Sequence, residues 1–241
     1  MRTALRDQIR YPVYRIQLAT AAATLPISLP EVKSRLGITD DTREAQLAAM
    51  IRSATENTER YLRRTLIDTT WTMFLDKFPG KRLPWWDGVR QIADTELTDL
   101  TEAIILPKPP IDSVVHVKAH KQDGTETTVT STDYIVDTAS EPGRIALKES
   151  KSWPTDALRS LNGVEVQYIA GYGPVGSDVP EPIREAIMIC VSEMDTNKTG
   201  EALKFEKVGD SSLSRFGPDE TGSIIPRSAR NLLSTYRLWM V

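Results

Sequence analysis

The chain is poor in the residues that build most catalytic and metal centres. It has one cysteine and two histidines in 241 residues. A lone cysteine forms no internal disulfide, and Cys190, set among Ile187, Val191 and Met194, reads as a small core residue. The histidines, His116 and His120, fall in a strand-like run with no cysteine or third histidine nearby. A metal centre needs three or four ligands, so they are expected as exposed strand residues and no metal or cofactor is expected. No nucleophile-elbow string supports a serine triad. No apolar run reaches the length of a membrane span. Nor is there a basic stripe: the formal charge is −3, which argues against nonspecific binding to the outside of nucleic acid.

A dinucleotide-binding fingerprint is absent in substance though present in letters. Gly171, Gly173 and Gly176 spell G-x-G-x-x-G between a strand and a helix. In a true site the helix begins inside the glycine string and its amides meet the pyrophosphate. Here Pro174 holds the preceding residue extended, and Val179-Pro180-Glu181-Pro182 places the helix start near Pro180. The string therefore reads as a strand-to-helix connection.

What is present is helical and β patterning in separate blocks. Ser28-Leu-Pro-Glu31 is a capping box that predicts a two-turn helix stopping at Gly37. A second box, Asp41-Thr-Arg-Glu44, opens the longest helical pattern, through Leu47, Ile51, Ala54, Thr58 and Leu62 to about Leu66. Its other face carries mixed charge. From Thr70 the apolar period changes to two, and the runs 114–117, 127–129, 134–136, 144–147 and 164–168 are separated by turn signals such as Asp123-Gly124 and Pro142-Gly143. Helical spacing returns at Ile183, Ile187, Cys190, Val191 and Met194. Neither helical block can bury its stripe alone, so the two are expected to pack on each other.

The fold class expected is α+β: a small helical bundle (28–69 and 178–195) with an inserted antiparallel β domain (70–177). An N-terminal arm (1–27) is expected, since Gln17, Thr20 and Thr24 dilute the apolar run that a secretory signal needs. Residues 196–225 read as a flexible arm, and 226–241 as an amphipathic helix with Ala229, Leu232, Leu233, Tyr236 and Trp239 or Met240 on one face. That helix either folds back on its own bundle or docks on another protein through its tether. Residues 79–103 form a polar excursion bearing Trp85, Trp86, Asp87, Asp94, Glu96, Asp99 and Glu102. A solvated acidic loop anchored by tryptophan is the expectation; a carbohydrate-binding or hydrolytic site there is the rival reading, and it lacks a complete catalytic constellation.

Eight strings resemble, in order, the head-tail connector (adaptor) proteins of tailed bacteriophages, prophages and gene transfer agents: Ile27-Ser-Leu-Pro-Glu-Val-Lys, Tyr61-Leu-Arg-Arg-Thr-Leu-Ile, Leu106-Pro-Lys-Pro-Pro-Ile-Asp-Ser-Val, Asp133-Tyr-Ile-Val-Asp, Glu141-Pro-Gly-Arg-Ile, Ser152-Trp-Pro, Ala170-Gly-Tyr-Gly and Val179-Pro-Glu-Pro-Ile-Arg-Glu-Ala-Ile. The resemblance covers roughly Ile27 to Met194.

The resemblance implies a structural virion protein without enzymatic activity, made in the bacterial cytoplasm and located at the head-tail interface. It implies a ring, about twelve subunits in such proteins, that joins the capsid portal to a tail-side stopper or head-completion protein. DNA is passing cargo and no membrane is involved. The charged helix face, with Arg43, Arg52, Glu56, Glu59 and Arg63, becomes a candidate subunit interface. Leu232, Leu233, Tyr236, Leu238, Trp239 and Met240 become candidate portal-docking residues. Trp85, Trp86, Asp94, Glu96, Asp99 and Glu102 lie in a candidate channel or partner loop, longer than the family's corresponding segment; facing the axis, its negative charge would repel phosphates and favour sliding.

Overall fold

The computed structural model describes residues 14–79, 103–196, 206–208, 211–213 and 225–238. Its chain divides into two compact units, one made of residues through Ala21 with Thr69–Gly171, the other of Ala22–Asp68 with Tyr172–Val241.

Among the described residues, every strand pairing of the first unit is antiparallel. Strands β1 (Tyr14–Thr20), β2 (Thr69–Leu75), β4 (Ile111–His120), β5 (Glu126–Val129) and β8 (Val164–Ala170) form a sheet in the order β1-β2-β8-β4-β5. A smaller sheet has the order β3-β7-β6, from β3 (Ile104–Leu106), β6 (Tyr134–Asp137) and β7 (Gly143–Leu147). The alternation that announced these strands turns one face of each inward. Met73, Leu75, Val117, Val164, Val166 and Tyr168 from the larger sheet share a core with Ile104, Leu106, Tyr134 and Ile145 from the smaller. At roughly 1.5–3 kcal/mol for each large apolar side chain buried, this common core is what holds the two layers together. Its largest member, Tyr168, is fully buried, and its hydroxyl donates to the Pro107 carbonyl at 2.9 Å. Burial raises the phenol's pKa well above the usual tyrosine range.

Two strands escape the alternation argument. Tyr14–Thr20, expected as part of an arm, pairs along β2 from Tyr14↔Leu75 to Thr20↔Thr70. Six of its seven residues are exposed, so it has no half-buried pattern to read: its place in the sheet comes from backbone pairing at the edge. The three-residue β3 is equally short of pattern. β4 runs longer than the expected 114–117 because two register shifts, between Ile111 and Ser113 and between Val114 and His116, break its alternation.

The second unit is a helical bundle: α1 (Leu29–Leu36), α2 (Glu44–Leu62), α3 (Glu181–Thr196) and α4 (Arg227–Leu233). Strands β9 (Glu206–Val208) and β10 (Ser211–Leu213) pair only with each other. α1 has the expected box: the Glu31 amide donates to Ser28 Oγ at 3.4 Å, and the Ser28 amide donates to Glu31 Oε2 at 2.6 Å. Gly37 closes it at φ 68°, a left-handed geometry that costs glycine little.

α2 departs from expectation at both ends. It starts at Glu44 with no side-chain cap, because the expected cap, Asp41, instead accepts from Lys33 Nζ at 2.5 Å. It ends at Leu62 rather than near Leu66: Arg63 turns left-handed at φ 59°. The apolar stripes of α2 and α3 meet as expected, with Leu47, Ile51, Ala54 and Leu62 in one core with Ile183, Ala186, Ile187, Cys190 and Val191. Burial pushes the Cys190 thiol up to about 11, so it is an inert core group. Among the described residues no helix is long and apolar enough to cross a membrane.

The glycine string is explained by crowding. A Cβ on Gly173, at φ 155°, would stand 2.3 Å from Asp178 Oδ2, and one on Gly176 would stand 2.6 Å from the Pro26 carbonyl oxygen. The helix begins only at Glu181.

Candidate assembly surfaces

The C-terminal helix resolves one of the open alternatives. Pro226 precedes α4, which continues as a 3-10 turn over Ser234–Tyr236. Ala229 and Leu233 are both 0% exposed and belong to the bundle core, with Ile225 beside them and Tyr236 packed on the edge. Three polar contacts fasten the segment after the helix. The Leu238 amide donates to the Leu62 carbonyl at 3.1 Å, Arg64 Nε donates to the Tyr236 carbonyl at 2.6 Å, and the Arg237 guanidinium lies 4.8 Å over the Tyr61 ring. Through Leu238, then, the segment folds back on its own bundle. Leu233 is corrected from a docking residue to a core residue, and Tyr236 and Leu238 are partly covered by their own subunit; Leu232 remains open at 37% exposure. Trp239 and Met240 lie outside the described residues.

The charged face of α2 is likewise divided. Arg43 is ion-paired with Asp195 at the end of α3, which ties the two helices together. The Glu59 carboxylate accepts the Leu66 amide at 2.9 Å and so fixes the chain just beyond the helix. Neither is a free interface side chain, which corrects the expectation for both. Arg52, Glu56 and Arg63 are exposed, and Glu56 pairs with Arg60 one turn on, at 2.8 Å. The sequence grouped Arg43 and Glu59 with the other charged residues of this segment; only the positions of Asp195 and Leu66 reveal that they are occupied.

The histidines are not the exposed pair expected. His120 is 8% exposed and His116 is half-buried. Glu165 lies opposite Lys118 on the neighbouring strand, and its carboxylate reaches both diagonal neighbours: Oε1 is 2.9 Å from His116 Nε2 and Oε2 is 2.9 Å from His120 Nε2. Burial would raise the Glu165 pKa, but the two imidazole hydrogen bonds outweigh it and hold the carboxyl below its usual value. A carboxylate has no proton to give, so both Nε2 atoms are donors here and neither Nε2 can ligate a metal. Among the described residues no group of three His, Cys, Asp or Glu is placed to hold a metal ion. The pairing could have been found from sequence only with the strand register in hand.

The residues of the acidic excursion, Trp85, Trp86, Asp94, Glu96, Asp99 and Glu102, lie outside the described residues. At the start of the excursion Phe78 stacks on Trp153 with ring centroids 4.7 Å apart.

A helical bundle and an antiparallel β sandwich, with polar side chains spent on one another and charged helix faces left open, define an α+β structural module. Residues 26–142 match the model of the phage gp6-like head-tail connector family, the family that the resemblance read from the sequence implied. Solved structures with the same fold include a chain from the neck of an empty GTA particle computed with C6 symmetry, at 17% identity and TM-score 0.63, covering 94% of this chain and 97% of that one. A chain from the virion of a native gene transfer agent (GTA) particle matches at 16% identity and TM-score 0.65, covering 94% and 96%. A third, from the neck of a native GTA particle computed with C12 symmetry, matches at 17% identity and TM-score 0.59, covering 94% and 97%. No curated protein matches the chain. The rival carbohydrate-binding or hydrolytic reading finds no support in these likenesses.

Proposed function

We propose that this protein is a structural head-tail connector of a phage-like or gene-transfer-agent particle, forming a ring of twelve subunits around the DNA channel at the head-tail interface. One observation carries the reading: the connector family pattern over residues 26–142 sits within a fold shared along 94% of the chain with subunits of particle necks, one of them computed with C12 symmetry. The work of such a ring is binding, with no covalent step, and DNA passes through it as cargo. Its partners are copies of itself, a portal protein on the head side and a stopper or head-completion protein on the tail side. The exposed stripe of α2 with Arg52, Glu56 and Arg63 faces a neighbouring subunit. Leu232 and the terminal Trp239 and Met240 supply apolar contacts to the portal, weak singly at roughly 1.5–3 kcal/mol per buried side chain and strong when repeated around a ring. The acidic residues of 79–103 face the channel or a partner.

Imaging particles by cryo-electron microscopy, with the chain tagged at its N-terminus, tests the reading. Tag density between portal and tail, and tailless heads on deletion of the gene, are the expected results. Normal tailed particles without the protein would refute it.

A further inference from the structure

The bundle carries surplus charge of opposite sign on two different sets of elements. On the solvent side of α2, three exposed arginines, Arg52, Arg60 and Arg63, stand with two carboxylates, the exposed Glu56 and the half-buried Glu59, which accepts the Leu66 amide. Glu56 is taken by Arg60 at 2.8 Å, and among the described residues Arg52 and Arg63 pair with no carboxylate. This stripe faces away from the core, which takes Leu47, Ile51, Ala54 and Leu62 from the same helix.

The edge formed by α1, the turn after it and the start of α3 shows the reverse. Lys33 Nζ sits between two carboxylates, 2.5 Å from Asp41 and 3.0 Å from Glu44. Arg184 is likewise shared, 2.6 Å from Glu31 and 2.7 Å from Glu181. Lys33 and Arg184 each answer two anions and leave one negative charge over, while Arg35 on the same edge is matched one to one by Glu185 at 2.8 Å. The outer anion of each trio is largely in solvent, Asp41 at 83% and Glu181 at 77% side-chain exposure.

We propose that these are the two halves of one heterologous interface between copies of this chain: the arginine stripe of α2 on one subunit docks against the α1–α3 carboxylate edge of the next. The inference rests on the connector reading and adds to it the acidic counterpart of the α2 face. A closed ring built by rotation requires that each subunit offer two different surfaces that fit each other. Complementary potentials meet that need while disfavouring face-to-face dimers, because each surface repels its own copy. Partial self-neutralisation within each surface limits the desolvation that contact imposes, since the inner members of each set already have partners.

The test uses full-length protein supplied to a host that makes the particle but lacks this gene. Four forms are compared: wild type, a basic-reversed variant (Arg52→Glu, Arg60→Glu, Arg63→Glu), an acid-reversed variant (Asp41→Lys, Glu181→Lys), and the chain carrying all five changes. Copies of the protein per purified head are counted by quantitative mass spectrometry, and far-ultraviolet circular dichroism verifies the fold. Each reversed variant should load at least about tenfold less than wild type, since like charges then oppose each other at every interface of the ring. The five-change chain, and the two reversed variants supplied together, should return loading to within about threefold of wild type, because opposite charges face each other again. Wild-type loading by either reversed variant overturns the pairing, and so does a five-change chain no better than its parents. Wild-type protein absent from particles would instead overturn the connector reading itself.

Discussion

Replacing Leu233 by alanine measures how firmly the C-terminal helix belongs to its own bundle. Leu233 is fully buried, in a core that includes Ile225 and Ala229. Truncating a fully buried leucine removes its transfer free energy and leaves a cavity, together about 2–5 kcal/mol. The ends of the segment are held by the Leu238 amide on Leu62 and by Arg64 on the Tyr236 carbonyl, which restrains collapse of α4 into the space and favours the upper half of that range. Leu232, its neighbour at 37% exposure, serves as the matched control, and its alanine variant should cost only about 1 kcal/mol because over a third of its surface stays in water and truncation there encloses no cavity. Urea unfolding followed at 222 nm reads chiefly the helices and gives both values from midpoint and slope. The expected outcome is a gap of at least about 2 kcal/mol between the two variants. Equal, small effects would refute the reasoning and return α4 to the role of a free docking helix. For the same reason, truncation after Leu238 should leave the urea midpoint nearly unchanged, whereas truncation after Ser223 should expose the core.

Glu165→Gln should destabilise the β unit by about 1–3 kcal/mol at pH 7, since an amide can accept from only one imidazole and turns its own donors toward the other. Because the folded carboxyl is held below its ordinary 4.5, its stabilisation is full above that value and is lost as pH falls through the folded value; urea midpoints of wild type and variant should converge below pH 4.5. Gly173→Ala should lower the melting temperature, because its Cβ would meet Asp178 Oδ2 at 2.3 Å in a left-handed backbone at φ 155°; a cost of about 1–3 kcal/mol is expected, and a thermal melt indistinguishable from wild type would count against it.

The elements legible in the sequence are those whose folding is local. The Ser28–Glu31 box, the Gly37 stop, and the stripes of α2 and α3 each arise from spacing along a few turns, and the structure places them accordingly. The strands from β4 to β8 were readable because one face of each enters a shared core. The features that could not be read depend on partners outside the element that carries them. The capping role expected for Asp41 is lost to Lys33, which is eight residues away and on another helix. Arg43 and Glu59, grouped with the charged face from sequence, are taken by Asp195 and by the Leu66 amide. β1 has almost no buried face, so no periodicity could have marked it.

The histidine pair shows the same limit and its bearing on function. Spacing put His116 and His120 on one strand face as exposed residues, but only pairing with β8 sets Glu165 between them and makes each Nε2 a hydrogen-bond donor. By the same accounting the arginines of α2 stay open, since Arg52 and Arg63 find no carboxylate among the described residues. In the proposed interface, the unmatched charge of α2 on one copy meets the unmatched charge of the other sign on the α1–α3 edge of the next, so each completes the other.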